Sequence, residues 1–185
     1  MKNILVSTFF VAALSATSAF ANEDYTGGVV SPEAAQNIQL CLESNVDVAL
    51  NKSIRACTQA YKASVPNYNV RSDILTRRGW LQLSAGKYEQ AARDFKWASK
   101  LNDVNEFAYL GDGFAALMQK DYDSAIAYFN DCKTHNDAAP LAYYGLGMTK
   151  ELAGDSSGAL EAYQKAANLR PEWQAPLEEL SRIKA

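Results

Sequence analysis

The residue types that most often carry chemistry are scarce in this sequence. It has a single histidine, His135, and three cysteines, Cys41, Cys57 and Cys132. A structural zinc site needs several converging Cys or His ligands. The pair Cys132 and His135, with Asp131 and Asp137 nearby, has no second pair to complete it. A Ser/His/Asp triad would have to use the same His135, and no serine sits in a nucleophile-elbow pattern. Gly111-Asp112-Gly113 falls inside a helical pattern with no strand before it, so it is not a phosphate loop. Acidic pairs such as Glu178-Glu179 read as a solvated face. No constellation supports an enzyme, a metal site or a cofactor. Basic residues are not in excess either: 18 Lys and Arg stand against 21 Asp and Glu, a net charge of −3. That balance argues against a general nucleic-acid binder, which carries a basic face.

Long apolar runs are absent beyond the first 21 residues, so no later segment is expected to span a bilayer. The one early run, Ile4 to Leu14, is itself too short to do so. Lys2 precedes it and Ala19-Phe20-Ala21 follows it, the layout of a secretory signal peptide cut after Ala21. Residues 1–21 are therefore expected to be removed, leaving 164 residues from Asn22 with 17 basic and 21 acidic side chains. The expected destination is the periplasm of a Gram-negative bacterium, with residues 22–30 a flexible leader to the folded part. Export permits disulfides, but three thiols cannot all pair within one chain. Proline is also rare, and Pro32, Pro66, Pro140, Pro171 and Pro176 all fall at expected helix starts or between helices.

What the sequence does have is a period. Gly79, Gly113 and Gly147 are 34 residues apart, and so are Ala91, Ala125 and Ala159. The aromatics Phe95, Phe129 and Tyr163 and the small residues Ala98, Cys132 and Ala166 repeat at the same spacing. Within one unit, Ala159, Leu160, Tyr163, Ala166 and Ala167 fall on one face of a helix. These columns resemble the tetratricopeptide repeat, a pair of antiparallel helices that buries its apolar face only by stacking on its neighbours. Residues 140–173 resemble it best, with Tyr143, Leu146 and Gly147, a Gly154-Asp155 turn, then Ala159, Tyr163, Ala166 and Pro171. Residues 106–139 depart at Asp112 and Asp137, and residues 72–105 at Leu75 and Arg78. The resemblance implies an all-α, right-handed solenoid whose small columns let helices approach and whose aromatic column fills the space beside them.

The ends depart further. Residues 174–185 place Leu177, Leu180 and Ser181 on one face and then stop, as a lone capping helix with Glu178, Glu179, Arg182 and Lys184 toward water. Residues 31–69 form a degenerate hairpin, with Ser31 and Pro32 opening a helix to Ser44 and a second from Val48 to Ser64. An insertion near Pro66-Asn67-Tyr68-Asn69 offsets it from the regular units. Set against the repeat, Cys41 and Cys57 occupy facing positions of the two helices, which points to a disulfide; the alternative is two buried thiols. Cys132, in a small-residue column, reads as a buried thiol.

The resemblance also implies a binding groove on the inner face of the first helices, for a protein or peptide segment. Here that face carries Trp80, Phe114 and Met148, then Leu110 and Tyr144, then Phe107 and Leu141, with Leu117 further along. Arg77, Gly111 and Gly145 form one more column. Helical glycine costs about 1 kcal/mol relative to alanine, so Gly111 and Gly145 read as a groove floor that something approaches closely. The groove is expected either to hold a partner segment or to be closed by the chain's own ends or by a second copy. Only Arg77 would suit a clamp for carboxylate-ended peptides. The cysteine arithmetic is testable: thiol titration of the denatured, unreduced chain should count one thiol, and three would exclude the Cys41–Cys57 bond.

Overall fold

A computed structural model describes residues 31–42, 50–63, 67–133 and 137–184. The expected leader, the segment 22–30, His135 and the Lys184 side chain lie outside the described residues. Among those described there are nine helices and no strand. They are α1 (Pro32–Leu42), α2 (Leu50–Ala63), α3 (Tyr68–Ser84), α4 (Tyr88–Leu101), α5 (Glu106–Met118), α6 (Tyr122–Cys132), α7 (Ala139–Leu152), α8 (Ser156–Leu169) and α9 (Gln174–Lys184). The chain forms two compact units, Met1–Gly111 and Asp112–Ala185, divided within α5. In the first, α1 packs on α2, and α3 on α2 and α4. In the second, α7 packs on α6 and α8, and α9 on α8.

Local chemistry places the helix ends. Ser31 opens α1, its Oγ accepting from the Ala34 N–H at 3.2 Å. Asn67 opens α3, its Oδ1 accepting from Asn69 and Val70 N–H. Residues 68–71, four residues ahead of the unit that starts at residue 72, are thus an extra helical turn, and the expected insertion is in part helical. The turns after α3, α5 and α7 share one geometry. Gly86, Lys120 and Gly154 are 34 residues apart and all have positive φ, at 72°, 64° and 91°. In each, the next N–H reaches back five residues: Lys87 to Gln82 O at 2.8 Å, Asp121 to Ala116 O at 3.0 Å, Asp155 to Lys150 O at 2.8 Å. This is a Schellman closure, which satisfies carbonyls that a helix end would otherwise leave bare. Asp121 and Asp155 then cap the following helices by accepting from Ser124 and Gly158 N–H.

The periodic columns meet inside each unit. Ala91, Ala125 and Ala159 are fully buried, as are Ala98, Ala166 and nearly Cys132. The aromatic column lies between glycines. A Cβ on Gly79 would sit 2.6 Å from the Phe95 ring, and one on Gly111 would strike the same ring. Phe129 lies against Gly113 and Gly145 in the same manner, and Tyr163 against Gly147. Phe95 and Phe129 therefore each occupy the space that two helices leave by lacking side chains, and Tyr163 the space left by one. At the N-terminal end no large aromatic holds that place. Cys41 and Cys57 are bonded instead, with Cα atoms 4.5 Å apart and both residues fully buried. The bond encloses 15 residues, a constraint of roughly 3 kcal/mol on the unfolded chain.

Two substitutions test these packing rules by urea denaturation. Gly145→Val should cost about 1–3 kcal/mol, because its Cβ meets a buried ring that cannot yield. Lys120→Gly should stabilise by about 0.5 kcal/mol: relief of left-handed strain, about 1–2 kcal/mol, exceeds the added unfolded-chain entropy, about 0.4–1 kcal/mol.

Candidate partner-binding surface

The residues expected to wall a groove are inside the fold. In the first unit Arg77, Trp80, Phe107, Leu110 and Gly111 are all buried. In the second, Phe114, Leu117, Leu141, Tyr144 and Gly145 are buried and Met148 is half-buried. The rings explain why. Trp80 meets Phe95 edge-on at 5.3 Å, and Phe114 meets Phe129 edge-on at 4.8 Å. Tyr144 lies against Tyr163 at 5.4 Å and Trp173 at 4.9 Å. Trp80, Phe114 and Tyr144 thus each pack on the aromatic of their own repeat. The expected glycine floor has the same correction: Gly111 and Gly145 seat Phe95 and Phe129 rather than an incoming ligand. Burial also lowers the Arg77 pKa to about 10.

Charged departures from the repeat are answered inside the fold. Arg78, where leucine is usual, donates from Nε and Nη2 to the two Asp94 oxygens at 2.6 and 2.7 Å. Arg78 Nη1 also reaches Thr58 Oγ1 at 3.3 Å, and both Arg71 and Arg78 lie over the Tyr61 ring. In the second unit, burial first and then the Asp112 charge raise the Tyr128 pKa. Asn105 knits α3 to the start of α5. Its Nδ2 donates to Ser72 Oγ at 2.8 Å and Thr76 Oγ1 at 3.1 Å, while its Oδ1 accepts from Ala108 N–H at 3.1 Å.

The last helix is fixed by a polar cluster rather than by an apolar stripe alone. Arg182 Nη2 donates to Glu151 at 2.6 Å and Arg182 Nε to Glu179 at 2.7 Å. The Tyr163 hydroxyl donates to Glu151 at 3.2 Å, and Glu179 accepts from Tyr144. Desolvation first, and then these carboxylates, raise both tyrosine pKa values. Glu179 is therefore buried, at 6 % exposure, not toward water, and Leu177 is the exposed apolar residue of that helix.

One accessible cleft lies on another face of the second unit, bounded by α6, α7 and α8, with a volume of about 270 Å³. Tyr143 is half-buried there, with Lys133 and Lys165 Nζ each 5.7 Å from its ring centre. Lys150 enters from α7, 3.4 Å from Asp155. Gly158 makes room for it, since a Cβ there would stand 2.6 Å from Lys150 Nζ. The sequence pattern did not single out these lysines. They lie on separate segments, and only the Glu161–Lys165 pair, four apart on one helix at 2.6 Å, carries a local signal.

Comparison with known proteins agrees with the repeat pattern. Residues 141–172 match the family described as Tetratricopeptide repeat. A stretch of 104 residues is 31 % identical to the RNA polymerase-associated protein CTR9 of Caenorhabditis elegans, covering 52 % of this chain but only 9 % of that protein. Among solved structures, a MamA fragment from Desulfovibrio magneticus RS-1 aligns with TM-score 0.66 and 21 % identity over 84 % of this chain and 86 % of that one. YrrB, described as a TPR protein with an unusual peptide-binding site, aligns with TM-score 0.60 and 19 % identity over 71 % of this chain and 66 % of that one. At these identities the likeness establishes the fold.

Burial turns the inner-face aromatics into a stability test. Trp80→Ala and Phe114→Ala should each cost about 3–5 kcal/mol in urea denaturation. Wild-type stability in either variant would return these side chains to an open surface.

Proposed function

We propose that this chain, with its tetratricopeptide-repeat fold, is an exported, non-catalytic scaffold that holds a segment of a partner protein. The observation that carries this reading is the internal use of the inner aromatics. Trp80, Phe114 and Tyr144 lock each first helix to its own second helix, so the remaining surface stands on stiff pairs of helices. A surface of that kind binds with little ordering cost. Its recognition elements are then the half-buried Met148 on the inner face and the cleft between α6, α7 and α8. The peptide-binding description of YrrB supports the class of partner. The signal-peptide pattern before Asn22 and the Cys41–Cys57 bond support export to an oxidising compartment such as the periplasm.

The competing reading is self-association, with a second copy covering these surfaces. Photocrosslinking residues placed at Met148 and at Tyr143 in intact cells, together with light scattering across a protein concentration series, separate the two. A scaffold gives a constant monomer mass and an adduct with a different protein. Adducts only between copies, with mass rising as concentration rises, would replace the scaffold with a self-assembling component.

A further inference from the structure

We propose that the cleft between α6, α7 and α8 takes an acidic side chain of a partner polypeptide together with the apolar side chain next to it. This deepens the scaffold reading and rests on it. The cleft brings three ammonium groups, Lys133, Lys150 and Lys165, and one carboxylate, Glu161, to one place in a chain whose net charge is −3. The positive field is therefore local, and it attracts an anionic group in particular.

The three lysines are not equally engaged. Lys165 is held by Glu161 at 2.6 Å, and Lys150 stands 3.4 Å from Asp155. Among the described residues Lys133 has only the face of the Tyr143 ring, 5.7 Å away, and no carboxylate. It is the cation with most to gain from an incoming carboxylate. Beside it, the Asn130 amide adds polar hydrogen-bonding capacity, while Ile126, Leu146 and Ala162 supply apolar wall. The lining thus asks for a charge and a greasy neighbour at once, which adjacent or alternating residues of a peptide provide.

Size and chemistry weigh against other anions. Ligand pockets for whole small molecules run to roughly 300–1,000 Å³, and about 270 Å³ suits a pair of side chains. Phosphate recognition favours arginine forks or a free helix N-terminus. Among the described residues no arginine lines this cleft, and the Gly158 N–H at the start of α8 already donates to Asp155 Oδ1 at 2.8 Å. Glu161 and Asp155 would also repel a doubly charged group more than a single carboxylate.

The test is an NMR titration of the full chain with a short synthetic peptide alternating glutamate and leucine. Its counterpart with glutamine for glutamate is the control. Saturable shifts at the backbone amides of Asn130, Tyr143 and Gly158, weakened by added salt and lost with the glutamine peptide, are expected. Lys133→Glu, a surface change, should keep the helical circular-dichroism signal and reduce affinity about tenfold. Equal binding of the two peptides, an unchanged Lys133→Glu variant, or shifts confined to other residues would overturn the assignment. So would inorganic phosphate producing the same shifts at lower concentration than the peptide. If the cellular adduct described above forms at full yield in Lys133→Glu, the cleft is not the partner's seat, while the scaffold reading stands.

Discussion

Everything in the regular part of this fold turns on one steric arrangement: an aromatic ring held where helices lack side chains. Phe95 fills the space at Gly79 and Gly111, and Phe129 the space at Gly113 and Gly145. The first glycine of each pair belongs to the same helical hairpin and the second to the following helix. One ring therefore serves two packing contacts, within a hairpin and onward from it. Glycine costs about 1 kcal/mol of helix propensity at each site. Burying a phenyl ring contributes roughly 1.5–3 kcal/mol before its ring contacts are counted, so the exchange favours the ring.

Charge enters this core at Arg78 with a second charge and a hydroxyl to answer it. Arg78 and Asp94 replace an apolar pair with a two-pronged ion pair, further fastened to Thr58 and Tyr61. Such a pair contributes little net stability over a well-packed apolar one, but loss of either partner strands a buried charge. The first unit is thereby tied to its N-terminal hairpin by polar contacts that tolerate few changes, whereas the second unit keeps Leu146 and Ala162 at the matching places. The buried Asn105 amide belongs to the same class, since Ser72, Thr76 and the Ala108 N–H engage both its ends.

The fold was legible in the sequence because its signals are periodic and local. Glycine, alanine and aromatic columns at a spacing of 34 declare the helix pairs, and Ser31 and Asn67 mark helix starts by short-range hydrogen bonding. The surface was less legible. Apolar columns at Trp80, Phe114 and Tyr144 look the same in a sequence whether they meet a ligand or a neighbouring helix. Only the geometry, with each ring against Phe95, Phe129 or Tyr163, decides. The position of Gly111 and Gly145 did signal a close approach, but the approaching group was the chain itself. The basic cleft was hidden for the opposite reason, since Lys133, Lys150 and Lys165 converge from three segments and share no period.

The column that begins with Arg77 and continues through Gly111 and Gly145 reaches Glu179 one period later. At that point the helix following the third ring brings a buried carboxylate, engaged with Arg182 and Tyr144, instead of an empty glycine surface. The Tyr163 ring therefore has a glycine seat at Gly147 alone, and its hydroxyl meets the Glu151 carboxylate. The third ring is accordingly a tyrosine: its hydroxyl satisfies Glu151, and a phenylalanine in its place would leave that carboxylate one donor short.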